Sequence, residues 1–316
     1  MKLIIQIPAW NEEEHLPETL IALPSSVEGV DEVEVLVVDD GSTDRTAEVA
    51  REAGAEVVRM PVHRGLAVAF STGLRHAVER GADLIVNTDA DNQYNARDIL
   101  ALVKPILDGS AQMVIGDRQI ATLRHFSSLK RLLQKLGSWV VRRLSGTSVR
   151  DATSGFRALS RTAALRLHVF TRFTYTLETI LQAGEAGLKV VSVPVRVNAG
   201  ERRPSRLFQS DVGYVLRSLA SMARIVTLYN PLRIFLMLGA VPVILGCALL
   251  LRFLWFYSTG LSPAGHVQSL ILAVILIVIG ALVWLAGVMA DLTAVNRRLL
   301  EEVVERQRER GLDDPR

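Results

Sequence analysis

One cysteine, Cys247, stands among 316 residues. An intramolecular disulfide and a cysteine-built zinc site are both excluded. No G-x-x-x-x-G-K-[ST] loop is present, so the chain is not a P-loop NTPase. G-x-G-x-x-G is missing, which argues against a dinucleotide-binding dehydrogenase, and no G-x-S-x-G elbow marks a serine hydrolase. Aromatic residues make up 6%, and the basic part of the chain does not interleave them with its arginines, which argues against a nucleic-acid surface. The N-terminus lacks a signal-peptide run: Gln6 and Pro8 interrupt it and Glu12, Glu13 and Glu14 follow. The first domain is expected to stay in the cytosol.

A net charge of +3 conceals a strong asymmetry. Residues 1–116 hold 9 Lys/Arg against 20 Asp/Glu, residues 117–233 hold 20 against 6, and the remainder 7 against 7. An acidic third followed by a basic third predicts two surfaces with different partners, the basic one facing phosphates or an anionic membrane. Leu232 to Tyr257 is apolar apart from Arg233 and Arg252, and Val267 to Ala290 holds no charge. Each exceeds the roughly 20 residues that cross a bilayer core. The connection STGLSPAGH has no Lys or Arg, whereas Arg217, Arg224 and Arg233 precede the first span and Arg297 and Arg298 follow the second. The positive-inside rule then places both ends in the cytoplasm. A buried hairpin of a soluble protein is the alternative.

Before the spans, short apolar runs alternate with helical patterns. Strands are predicted at 2–8, 33–40, 55–60, 82–89 and 113–117, and helices at 12–23, 43–53, 66–80 and 96–107. This alternation predicts an α/β fold with a doubly wound, mostly parallel sheet. Ligands of such sheets bind beyond the carboxyl ends of the strands, where the sequence places Asn11 and Glu12, Asp39 and Asp40, and Asp89 and Asp91. Leu123 to Leu144 carries leucines at helical spacing among Lys130, Arg131, Lys135, Arg142 and Arg143. It is either a membrane-surface helix or one packed on the sheet. Phe208 to Tyr229 has the pattern of a second amphipathic helix. The expected division is therefore a catalytic domain over 1–206, an interfacial helix over 207–230, a two-helix anchor over 231–290 and a helical tail over 291–316. That charged tail is a candidate for pairing between copies.

The stretch NTDADNQY (87–94) closes an apolar run with two carboxylates. If the strand continues through Asp89, alternation sends Asp89 and Asp91 to one side. Such a pair repels unless a cation lies between, and hard oxygen donors select Mg²⁺ or Mn²⁺. An EF-hand is ruled out, because its sixth position would be Tyr94 and its twelfth Leu100. A metal held in this way, without a Walker loop, suits a nucleoside diphosphate acting as leaving group.

At this point a resemblance is evident. IPAWNEEEHL (7–16), VVDDGSTDRT (37–46), HRGLAVAFSTGL (63–74), DADNQY (89–94), GDR (116–118), DATSGFRALSR (151–161), YTLETILQAGEAGL (175–188) and RPSRLF (203–208) occur in the order seen in family 2 glycosyltransferases. Among these the chain most resembles polyprenyl-phosphate glycosyltransferases of the dolichyl-phosphate mannosyltransferase type. The resemblance implies a GT-A fold and transfer of a sugar from a UDP- or GDP-sugar to a polyprenyl phosphate, with inversion, at the cytoplasmic face of the membrane. Pro8, Ala9, Trp10, Asn11 and Glu12 would line the nucleotide pocket, with Asp39 on the base or ribose and Asp40 assisting. Asp89, Ala90 and Asp91 would hold metal and diphosphate, with Gln93 a further ligand. Arg118, Arg131, Arg203 and Arg206 are the candidates for the acceptor phosphate, since a guanidinium fork matches phosphate oxygens. Asp151 is either the general base or the group that positions Arg157 or the acceptor, and Glu178 is a second base candidate. Asn92 stands where related chains often have Gly or Leu. A processive polysaccharide synthase is the nearest rival, although it needs more spans and usually a Q-x-x-R-W stretch, which this sequence lacks.

Overall fold

The computed structural model describes residues 1–119, 128–167, 169, 175–198, 224, 227, 231–259 and 267–313, with backbone alone for 128–136, 297, 298, 301, 302 and 304–313. The chain divides into two compact units, Met1–Ser218 with Glu305–Arg316, and Leu219–Val304.

In the first unit, strands β1 (Lys2–Ala9), β2 (Glu32–Asp39), β3 (Glu56–Arg59), β4 (Leu84–Asn87), β5 (Met113–Asp117), β6 (Arg157–Ser160) and β7 (Val190–Pro194) form one sheet. Its order is β3-β2-β1-β4-β6-β5-β7. β6 runs antiparallel to both β4 and β5, and the other pairings are parallel. β1 is buried from Leu3 to Ala9, as expected of a central strand covered on both faces. The α-helices among its described residues are α1 (Leu16–Ala22), α2 (Thr46–Glu52), α3 (Leu66–Glu79), α4 (Ile99–Leu107), α5 (Ser128–Ser145), α6 (Arg161–Arg166) and α7 (Tyr175–Glu185). One apolar cluster joins Leu3, Ile5, Val86, Ile99, Leu102 and Phe156. A second joins Ile7, Leu16, Val37 and Ala90.

Two expectations need correction. β4 ends at Asn87, so Asp89 and Asp91 lie in the turn beyond it and strand alternation does not orient them. α1 begins at Leu16 rather than Glu12, because the Glu12 carbonyl accepts the His15 and Leu16 amides and Pro17 opens the helix. The C-terminal half of the basic helix packs on α7 rather than on the sheet: Val141 is buried, and a Cβ at Gly184 of α7 would meet the Ser145 carbonyl oxygen.

The second unit holds two long helices, α8 (Pro231–Ser258) and α9 (Val267–Asp313), the latter running on past the unit. Both are long and apolar enough to cross a membrane. They pack through small residues. A Cβ at Gly239 would stand 2.8 Å from the Gly280 carbonyl oxygen, and one at Gly280 2.7 Å from that of Gly239. Trp284 Nε1 donates to the Leu236 carbonyl at 3.0 Å. Close approach at small residues is how helices associate where no hydrophobic force drives them together.

Candidate active site

Strands β2, β1 and β4 are parallel neighbours, so their carboxyl ends meet at one edge. The loops after β1 and β2 are laced together. Asn11, at φ 53°, accepts the Thr43 amide at Oδ1 (2.9 Å), while its own amide donates to Ser42 Oγ (2.9 Å). The Glu12 amide donates to Thr46 Oγ1 at 2.9 Å. Trp10 is partly exposed and stacks on His63, ring centroids 4.1 Å apart. Asp39 is fully buried: Oδ1 accepts the Ser42 amide at 2.9 Å, and Oδ2 faces Arg59 Nε at 3.2 Å without hydrogen-bond geometry. Asp40 accepts the Arg64 and Gly65 amides, each at 2.8 Å, and approaches His63 Nδ1 at 2.9 Å. Its carboxylate thus fixes the loop that carries the Trp10–His63 stack. An open recess of about 410 Å³ lies beside these groups, lined by Gly41, Ser42, Thr43, Arg59, Met60 and Pro61. Gly41 is required there, since at φ 67° a Cβ would come 2.5 Å from the Val62 carbonyl carbon. Pro8 and Ala9 are buried in β1.

Past β4, Asp89 is partly exposed in an otherwise enclosed surround. Burial and then the like charge of Asp91 push its carboxyl up to about 7. The Tyr94 hydroxyl accepts the Gly155 amide at 3.1 Å and works against the rise of the Asp89 carboxyl. Asn87 Nδ2 donates to the Gly155 carbonyl (2.8 Å) and to Tyr175 Oη (3.1 Å), and Gln6 Nε2 donates to Asn87 Oδ1 (2.9 Å). Gly155 is therefore held from both sides against Asp89, where a Cβ would stand 2.8 Å from a carboxylate oxygen. Ala90 is buried, and its carbonyl accepts Thr19 Oγ1 at 2.8 Å, tying the turn to α1. Asp91 is exposed and accepts the Gln93 amide at 3.1 Å. Two mutually repelling carboxylates fit a divalent cation. No cluster of three or more His, Cys, Asp or Glu exists among the described residues.

Asp151 is buried and paired with Arg118: Nε to Oδ2 at 2.7 Å and Nη2 to Oδ1 at 3.0 Å, with Nη2 also on Thr153 Oγ1 at 2.8 Å. Burial alone would raise the Asp151 carboxyl, but Arg118 and Thr153 hold it below its usual range. Arg157 does not hydrogen-bond to Asp151. Fully buried, it donates to the carbonyls of Ser154 (2.7 Å) and Ala152 (3.1 Å) and to Thr179 Oγ1 (2.6 Å), with Tyr175 against its guanidinium. Glu178 is buried on α7. The side chain of Arg131, and Arg203 and Arg206 entirely, lie outside the described residues, as does 207–223. Sequence reading missed Asn87, Tyr94, Tyr175, Gly155 and the Trp10–His63 stack. A polar Asn inside a buried strand was the one visible signal.

The family model for glycosyl transferase family 2 matches residues 4–167, just over half the chain. Over 224 residues the chain is 29% identical to the undecaprenyl-phosphate mannosyltransferase of Micrococcus luteus, covering 67% of this chain and 90% of that one. Over 232 residues it is 28% identical to the UDP-N-acetylglucosamine–dolichyl-phosphate N-acetylglucosaminyltransferase of Methanococcus voltae, covering 66% and 90%. Among solved structures, glucosyl-3-phosphoglycerate synthase from Mycobacterium tuberculosis, in complex with Mn²⁺, UDP-glucose and phosphoglyceric acid, is similar with a TM-score of 0.51 at 25% identity, covering 70% of this chain and 79% of that one. The chain belongs to glycosyl transferase family 2 and is a glycosyltransferase with a GT-A-like fold.

Proposed function

We propose that the protein transfers a sugar from a UDP- or GDP-sugar to a polyprenyl phosphate at the cytoplasmic face of a membrane, with a divalent cation and inversion at the anomeric carbon. The Asp89–Asp91 pair at the carboxyl edge, one strand away from the Asp39 recess, is the observation that carries this reading. Both polyprenyl-phosphate relatives named above fit the acceptor, and the Mn²⁺ and UDP-glucose in the M. tuberculosis enzyme fit the donor side.

In this reading the base enters the recess at Gly41–Thr43 and Arg59–Pro61, beside the unfilled acceptor on Asp39. Trp10, braced by His63, closes the nucleotide side. Asp89, Asp91 and Gln93 would hold the cation, which would supply Lewis-acid stabilisation of the departing diphosphate. The acceptor needs no strong base, since a phosphate monoester with its second pKa near 6 is already largely anionic at neutral pH. Asp151, held low by Arg118, then serves to orient that arginine rather than to take a proton. Arg118, Arg131, Arg203 and Arg206 would bind the acceptor phosphate. α8 and α9 anchor the enzyme with both ends in the cytoplasm.

The test is to incubate membranes containing the protein with polyprenyl phosphate, Mg²⁺ and radiolabelled UDP- and GDP-sugars. One labelled lipid monophosphodiester is expected, lost on addition of EDTA and in Asp91→Ala. A sugar polymer growing on the product would favour the processive synthase instead.

A further inference from the structure

Past β7, Arg196 to Asn198 are laced along the turn that follows Asp91. Tyr94 and Val197 form an antiparallel bridge. The Asn95 amide donates to the Arg196 carbonyl at 3.2 Å, and the Arg196 amide, Nε and Nη2 donate to Asp98 at 2.6, 3.0 and 2.6 Å. The lacing converges on Asn198. Its amide donates to the Gln93 carbonyl at 2.9 Å. Its Nδ2 reaches three acceptors: the Asn92 carbonyl at 2.9 Å, Asn92 Oδ1 at 3.2 Å and the Tyr94 carbonyl at 3.2 Å. Asn198 therefore binds main-chain or side-chain atoms of all three residues after Asp91.

Asn92 sits at φ 50°. The left-handed region is costly for an ordinary L-residue, Asn tolerates it better than most, and only Gly enters it freely. The next amide, Gln93, is the one that Asp91 Oδ1 accepts. A change in φ at Asn92 would move that amide and with it the Asp91 carboxylate. The sequence places Asn92 where related chains often have Gly or Leu. The structure supplies a partner for it in Asn198.

We propose that Asn198 is a positioning residue for the cation site, holding Asn92 in the left-handed conformation and thereby setting the Asp91 carboxylate. The proposal rests on the reading of Asp89 and Asp91 as cation ligands. It assigns to the segment after β7 a role in metal binding through a residue that does not itself touch the metal. Outer-shell partners of metal ligands affect affinity by ~10–100-fold when removed.

The full-length protein in detergent, with saturating UDP, would be titrated with Mn²⁺ and free Mn²⁺ read by electron paramagnetic resonance. Asn198→Ala is expected to weaken Mn²⁺ binding about tenfold, and in steady state to raise the donor KM while leaving the acceptor KM unchanged. Asn92→Gly in the Asn198→Ala background is expected to restore most of the Mn²⁺ affinity, because glycine needs no latch at positive φ. A merely structural loss at Asn198 would not be rescued at another residue in this way. Asn92→Val, which keeps Asn198 but disfavours the left-handed turn, is expected to weaken Mn²⁺ binding and carries the test should Asn198→Ala fail to fold. Wild-type affinity in both Asn198→Ala and Asn92→Val, or no rescue by Asn92→Gly, overturns the positioning role. Absence of Mn²⁺ binding by the wild type overturns the cation site itself and the latch with it.

Discussion

Asp151 and Asp89 are two carboxyls pushed in opposite directions, and each makes a prediction. At Asp151, Arg118 outweighs burial and the carboxyl is held low. Its contribution to stability is therefore present at neutral pH and lost as pH falls through the depressed value. Removing one member of a buried pair leaves the other charge unpaired, at a cost of about 3–5 kcal/mol. Asp151→Asn is expected to lower stability by that order in denaturant titration at pH 7. The loss should shrink in Asp151→Asn/Arg118→Met, which removes both charges. At Asp89, burial and Asp91 raise the carboxyl to about 7, above its unfolded value. Without a cation the folded state binds the extra proton, so this group's stabilising effect is full below the unfolded value and disappears as pH rises through about 7. A divalent cation competes with that proton. The rise in thermal midpoint on adding Mn²⁺ and UDP is therefore expected to be larger at pH 8 than at pH 6, and to be largely abolished in Asp89→Asn. A shift independent of pH would remove Asp89 from the cation site.

The elements were legible in the sequence to the extent that a single strand or helix decides them. β1 and β5 declare themselves as apolar runs because both faces are covered, and α3 as an amphipathic pattern opening at Gly65. β6 and β7 went unread: only four and five residues long, they owe their strand state to neighbours β4 and β5 rather than to their own pattern. The same limit applies at the site. Two carboxylates past β4 could be named from their spacing, but what brings them together is the turn at Asn92 and the wall at Gly155, both built by contacts distant in sequence. That wall is testable. Gly155→Ala inserts a methyl group 2.8 Å from Asp89 and 3.0 Å from Tyr175 Oη, while Tyr94 and Asn87 grip the same residue from its two sides. Overpacking of this kind costs about 1–3 kcal/mol. The expected outcome is a stability loss in that range together with a weaker Mn²⁺ response in the thermal midpoint. A variant with unchanged response would show that Asp89 does not depend on this wall.

At the scale of the molecule, a sugar-transfer domain built on a parallel sheet is joined in one chain to two helices that present Met237, Val241, Ile244, Leu251 and Trp255 on one side of the connection, and Ile271, Val278, Leu282 and Leu285 on the other, to their surroundings. Water would not tolerate so large an apolar surface, whereas lipid would. The proposed orientation, set by the arginines before and after the spans, would have position 262 facing outward and position 307 facing the cytosol. The single cysteine makes this direct to test, because Cys247→Ser leaves a background free of thiols. In that background Ser262→Cys is expected to react with a membrane-impermeant maleimide in intact cells. Gln307→Cys should react only after the membrane is opened. The reverse pattern would put the Asp89–Asp91 edge on the side away from nucleotide sugars, and a donor-dependent lipid product could not then form in the intact cell.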